Sequence, residues 1–243
     1  MTWKDGWPLI GVDTDGDGIG EVVWSGKKPI QGFPVTAPAT DDDFIKPELG
    51  RQWYWRFNPR MDRWSLTERP GFLRLKSCVR LSQGKPGNLD HLPNLIGQRM
   101  MGRHHNAMTA RFDLSGMADG QEGGLHISAG ENNVIGVRKD AGKMQLFFKS
   151  VSVRDSVNMA KGIALEQPDI WLQAKVENGL ATFFYSLDGK TFTQLGGEVQ
   201  LRFAGFTANA VGFYSMNTEE KGHMDVDWFK YEYDGPKGKQ EQR

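Results

Sequence analysis

The densest run of ligand chemistry in the chain lies near its N-terminus, in Asp13-Thr-Asp-Gly-Asp-Gly-Ile-Gly-Glu21. Carboxylates at the first, third and fifth positions, a glycine at the sixth and Glu21 at the ninth follow the frame of an EF-hand-like loop. In such a loop alternate side chains and one carbonyl converge on a hard cation while the glycine permits the bend. Position twelve is Trp24 in place of the bidentate glutamate, and no flanking helices are expected. Asp13, Asp15 and Asp17 are thus candidates for a structural Ca2+ site, against the alternative of an acidic, glycine-rich turn. Neither reading requires a cofactor.

A second candidate is aromatic. Sugar rings stack their apolar C–H surface on exposed aromatic faces, so a solvent-facing ring in Trp53-Tyr54-Trp55 would make a saccharide platform. Trp53, Trp55 and Phe57 share one face of an extended strand and are expected in a core. Tyr54, on the opposite face, is the substrate-binding candidate. The five histidines, His91, His104, His105, His126 and His223, form no H-x3-H pattern, and the single Cys78 can neither complete a zinc site nor form an internal disulfide. No G-x-S-x-G occurs, and Ser65, Ser115 and Ser128 have no identifiable base. The Gly16 to Gly20 stretch is too acidic to cradle a phosphate.

These residues must be held by strands. Met108, Ala110, Phe112 and Leu114 alternate with Thr109, Arg111 and Asp113, the period of a half-buried strand. The runs 170–176 and 180–186 flank Asn178-Gly179, whose tolerance of positive φ at both positions predicts a type I′ hairpin. Asp188-Gly189 is expected to repeat that device before 191–195. Further strands are expected at 52–57, 72–77, 95–101, 124–129, 134–139, 144–149, 211–216 and 224–233. About a dozen short strands without a long helix predict an all-β, two-sheet antiparallel sandwich or jelly roll.

Composition agrees. The chain of 243 residues holds 30 glycines, 11 prolines and 27 aromatics, a turn-rich and aromatic-rich balance suited to antiparallel sheets. Its 30 basic and 30 acidic side chains cancel, leaving no basic excess for nucleic acid or an anionic membrane surface. No apolar run reaches the roughly 20 residues of a membrane span, and no secretory leader is apparent, so the compartment stays undetermined. Residues 1–40, rich in Gly and Pro but carrying Trp3, Trp7 and Trp24, read as an extended arm expected to lie on a surface. Residues 41–236 form the β domain, and the charged tail 237–243 is expected to be disordered.

Several stretches, in order, resemble the C-terminal module of family 43 glycoside hydrolases, the bacterial β-xylosidases and α-L-arabinofuranosidases. They include Gly6-Trp-Pro-Leu-Ile-Gly11, Pro38-Ala-Thr-Asp-Asp-Asp-Phe44, Leu49-Gly-Arg-Gln-Trp-Tyr-Trp-Arg-Phe-Asn-Pro59, Ile96-Gly-Gln-Arg99, Tyr185-Ser-Leu-Asp-Gly-Lys-Thr-Phe192 and Asp225-Val-Asp-Trp-Phe229. The resemblance implies a concanavalin A-like sandwich that follows a catalytic propeller, where an acid and a base spaced for an inverting mechanism reside. It implies that propeller and a xylan or xylo-oligosaccharide as partners. Similarity to carbohydrate-binding module family 91 leaves open an independent xylan-binding role. The segment around Phe203 and Phe206 matches a loop that sends an aromatic toward the propeller's pocket, although both rings could equally pack in the sandwich. By analogy with laminin-like sandwiches, Asp43 and Asp227 form a second candidate calcium pair, with the polar face of the last strand as the alternative for Asp227.

Overall fold

In the computed structural model the strictest alternation of the sequence becomes the middle of a sheet. The structure describes residues 2–4, 7–9, 11–21, 32, 36–81, 89, 91–128, 132–151, 157–159, 162–202 and 208–235. Strand β7 (His105–Asp113) buries every second residue, and β13 (Asp169–Glu177) beside it does the same, because each presents one face to a core and one to water. Asn178 (φ 50°) and Gly179 (φ 83°) then turn the chain directly into β14 (Leu180–Ser186), with Glu177 opposite Leu180, as a two-residue hairpin requires.

Two antiparallel sheets follow, as the sequence predicts. One runs in the order β15 (Thr193–Gln194), β14, β13, β7, β18 (His223–Tyr233), β5 (Leu73–Lys76), β4 (Trp64–Ser65), with β16 (Val199–Gln200) also on β14. The other runs β11 (Val157–Met159), β10 (Lys143–Val151), β9 (Asn132–Asp140), β8 (Glu122–Ser128), β17 (Ala210–Met216), β6 (Ile96–Arg99), β3 (Tyr54–Trp55), with β12 (Ile163–Leu165) on β10. A 3-10 turn at Met61–Arg63 is the one helical segment among the described residues. The chain divides between Thr36 and Ala37, and within the N-terminal unit β1 (Thr2–Lys4) and β2 (Trp7–Leu9) pair antiparallel.

Aromatic rings fill the space between the sheets. Phe213 of β17 sits edge-on to Phe112 and Phe229 of the facing sheet, each 5.6 Å away, and 5.3 Å from Trp53. Each such ring removed from water contributes on the order of 1.5 to 3 kcal/mol. Asp42 secures this corner: its carboxylate accepts the Trp53 indole N–H at 2.8 Å, and its backbone exchanges two hydrogen bonds with Phe229. Strands β8, β9 and β17 are buried on both faces, since Leu89, Leu92, Leu95 and Cys78 cover Val134, Phe147 and Tyr214 on the outer side of their sheet. Burial there pushes the Cys78 thiol up to about 11, so it is unreactive at neutral pH. A side chain at Gly212 would meet the Ile96 carbonyl at 2.0 Å, which is why this crowded strand carries glycine.

Two local expectations are corrected. The strand expected at 52–57 shortens to Tyr54–Trp55, because the Trp53 N–H turns back to the Gly50 carbonyl. Trp53 enters the core, Trp55 packs at its edge against Trp64, and Phe57 leaves for the ring of His91. Asp188-Gly189 is not a second type I′ turn. Only Gly189 has positive φ, and the loop spans the residues between Tyr185 and Thr193. The Asp188 carboxylate organises that loop by accepting the N–H groups of Thr191 and Lys190 and the Ser186 hydroxyl, which hold it well below the usual carboxylate range.

Candidate functional site

The acidic loop closes on itself. Val12 and Glu21 exchange backbone hydrogen bonds at 3.0 and 2.9 Å, and the Asp13 carboxylate accepts the N–H groups of Gly16 at 2.6 Å and Gly18 at 3.0 Å. Asp15 accepts the Asp17 N–H, and Asp17 that of Ile19. One ligand atom from each of Asp13, Asp15 and Asp17 lies within 4.8 Å of the others, the convergence expected of cation ligands. The same oxygens serve the loop's backbone, so a cation would compete with those bonds. Trp24, at the twelfth position, lies outside the described residues.

The residues of the second candidate pair each have a partner of their own. Asp43 is exposed and turned to the N–H of Ile45 at 3.4 Å, while Asp227 is ion-paired with Arg111 at 2.5 Å. More consequential is a pair that the sequence did not single out. Asp113 and Asp225 face each other across β7 and β18, and Arg69 bridges them at 2.6 and 2.8 Å. Arg74 adds a bidentate contact to Asp225, which is 2% exposed. Burial alone would raise the Asp225 pKa, but the bonds from Arg74 and Arg69 outweigh it and hold the carboxyl below its ordinary range. Asp113 is lowered too, as its bonds from Ser115 and Arg69 overcome desolvation. A glycosidase general acid needs a raised pKa, opposite in direction to both of these carboxyls.

Tyr54 lines a cleft of about 220 Å³, together with Arg51, Gln52, Gln98, Arg99 and Met101. Pairing of β3 with β6 sets Tyr54 opposite Gly97. The Tyr54 hydroxyl is shut off from water without a hydrogen-bond partner. Gln52 directs its amide nitrogen to the Asp41 carbonyl and the Asp42 carboxylate, and Gln98 to the Thr40 carbonyl at 2.8 Å. Of these residues only Tyr54 was foreseen as a site. The others come together by cross-strand pairing, although Ile96-Gly-Gln-Arg99 was among the motifs that carried the resemblance.

Residues 41–232 match the family of beta xylosidase C-terminal concanavalin A-like domains, GH43_C2. The chain belongs to that family. A beta-xylosidase of Formosa agariphila is 42% identical over 98% of this chain, which covers 42% of that protein. A non-reducing end alpha-L-arabinofuranosidase of Bacteroides ovatus is 23% identical over 95% of this chain, which covers 43% of it. Among solved structures, a bifunctional GH43-CE protein of Bacteroides eggerthii superposes with a TM-score of 0.75 at 24% identity, over 97% of this chain and 30% of that one, a likeness of fold. The chain thus spans less than half the length of the relatives it matches.

Within this GH43_C2 sandwich His126, His104 and His105 each have a polar partner. His126 is fully buried, with Nε2 3.0 Å from the Ile96 carbonyl and Nδ1 3.0 Å from Ser128, and burial pushes its pKa down to about 3. His104 contacts Asn178, and His105 contacts Glu177. Phe203 and Phe206 lie outside the described residues. The described residues resume at Ala208, and the Asn209 carbonyl accepts the N–H of Met100, between the cleft residues Arg99 and Met101. Asn209 is therefore held beside the Tyr54 cleft.

Proposed function

We propose that this chain is the accessory C-terminal sandwich of a larger family 43 glycosidase acting on xylan or arabinoxylan oligosaccharides. In that role it buttresses a catalytic propeller and shapes the rim of its pocket, and it is not catalytic by itself. The observation that carries the reading is the family match over residues 41–232, in a chain that spans only 42% of a beta-xylosidase relative. The chemistry of the sandwich supports it, because Asp113 and Asp225, whose carboxyl pKa values are lowered, are locked by Arg69 and Arg74.

An aromatic from the 203–210 segment closes the sugar-binding end of the partner's pocket in this reading, with Phe206 as the first choice and Phe203 as the second. Excluding water there would favour short, chain-end substrates. The test is the full-length enzyme carrying Phe206→Ala. Loss of one apolar contact to the transition state, worth about 1 to 3 kcal/mol, lowers kcat/KM by roughly tenfold with little change in Tm. Unchanged kinetics with a large drop in Tm would make Phe206 a core residue and move the role to Phe203. Unchanged kinetics in both variants would remove the pocket-rim role.

A further inference from the structure

Two arginines, Arg51 and Arg99, line the Tyr54 cleft. Arg60, Arg63, Arg69, Arg74, Arg111 and Arg138 are each ion-paired to a carboxylate within 4.0 Å. Arg51 and Arg99, both exposed, have no such partner among the described residues, yet they line one cleft whose described lining contains no carboxylate. Two guanidinium groups lining one cleft without an acid offer it positive charge and fork-shaped donors, the chemistry that carboxylates and other oxyanions fit.

The rest of the lining narrows the choice of anion. Met101, 40% exposed, stands with Pro38, Ala39 and Tyr54 as an apolar wall beside the two cations. A bare inorganic ion has no use for such a wall, whereas a sugar ring has an apolar C–H face to lay on it. Gln52 and Gln98 already direct amide N–H groups to the chain at Thr40, Asp41 and Asp42, so the directional donors still open to a ligand are chiefly the guanidinium groups. The volume of about 220 Å³ falls below the roughly 300 to 1,000 Å³ of sites for larger ligands, which suits one substituent ring better than a chain.

We infer that this cleft recognises a carboxylate-bearing sugar, a uronic acid carried as a side group on the polysaccharide. Arg51 and Arg99 take the carboxylate, and Tyr54 with Met101 takes the ring. The inference rests on the reading that the parent acts on xylan-type chains, and it adds a preference for acidic decoration that the reading alone does not contain. Anchoring of Asn209 at Met100 places the site beside the end of the loop assigned to the pocket rim.

The test is calorimetric titration of the 243-residue chain with two xylo-oligosaccharides of equal length, one bearing a uronic acid and one undecorated, with inorganic phosphate as a third titrant. The acidic oligosaccharide should bind about tenfold or more tightly than the neutral one, as charge-assisted hydrogen bonds allow. Raising the salt to about 0.5 M should narrow the gap, because these cations are exposed. Arg51→Gln and Arg99→Gln should each remove most of the gap while leaving Tm unchanged, since neither side chain has an ion-pair partner among the described residues. Equal binding of both sugars overturns the inference, as does phosphate binding as tightly as the acidic sugar. Absence of binding overturns it as well, and if the arginine variants then lower the Tm of the full-length enzyme, the two cations belong to an interdomain contact. The accessory reading is judged separately, by the kinetics of the parent.

Discussion

Asp13, Asp15 and Asp17 form one knot of acid, and Asp113 with Asp225 forms another, built in the opposite way. The first draws on nine consecutive residues, is largely exposed, and is quieted by the N–H groups of its own loop. The second joins β7 to β18, buries Asp225 to 2% exposure and is neutralised by Arg69 and Arg74. Density of acid along the chain therefore marks a locally closed turn. The acid on which the fold depends is scattered in sequence and assembled by strand pairing.

The comparison predicts its largest effect at Asp225. Asp225→Ala leaves Arg74 and Arg69 without their shared partner and should cost about 3 to 5 kcal/mol in chemical denaturation. Asp15→Asn, in the exposed loop, should stay within about 0.5 kcal/mol. A loss under about 1 kcal/mol for Asp225→Ala would erase the distinction between the two knots.

Acid titration sharpens the contrast through a third buried group. The folded pKa of His126 is pushed down to about 3, whereas an unfolded histidine titrates near 6.5. The unfolded chain binds the extra proton first, so the stability this neutral ring contributes is complete above about pH 6.5 and declines as pH falls toward 3, by about 1.4 kcal/mol per pH unit. His126→Gln should flatten that slope. Asp225 and Asp113, both lowered, contribute stability that is present above their unfolded pKa, near 4, and lost as pH drops through their folded values. A Tm that stays flat from pH 6.5 to 4.5 in the unaltered protein would contradict the histidine assignment.

The smallest effect belongs to the N-terminal loop. With three carboxylates and no glutamate at the twelfth position, we propose that Ca2+ binds no tighter than about 0.1 mM, the weak end of such sites, and that Asp13→Asn abolishes it. A micromolar affinity by calorimetry would show that the cation, rather than the backbone, organises the loop.

How much of this was legible depends on how many faces of a strand are buried. β7, β13 and β14 each expose one face, so alternation announced them, and Asn178-Gly179 announced the turn between the last two. The second layer of Leu89, Leu92 and Leu95 on Val134, Phe147 and Tyr214 has no such signature, because strands covered on both sides lose the alternation. Asp188-Gly189 misled for a different reason: Asp188 holds its loop through its side chain and does not take the left-handed backbone expected of it. Of the cleft, Tyr54 alone was readable, since Arg51 and Arg99 become neighbours only through the pairing of β3 with β6.

The proposal that this sandwich assists a glycosidase without being one is tested most directly by assaying the 243-residue chain on aryl-xyloside and aryl-arabinofuranoside beside the full-length enzyme proposed to contain it. Turnover by that enzyme and none above background by the chain is the expected result. Turnover by the chain that vanishes when Asp113 or another of its own carboxylates is replaced by the amide would contradict it.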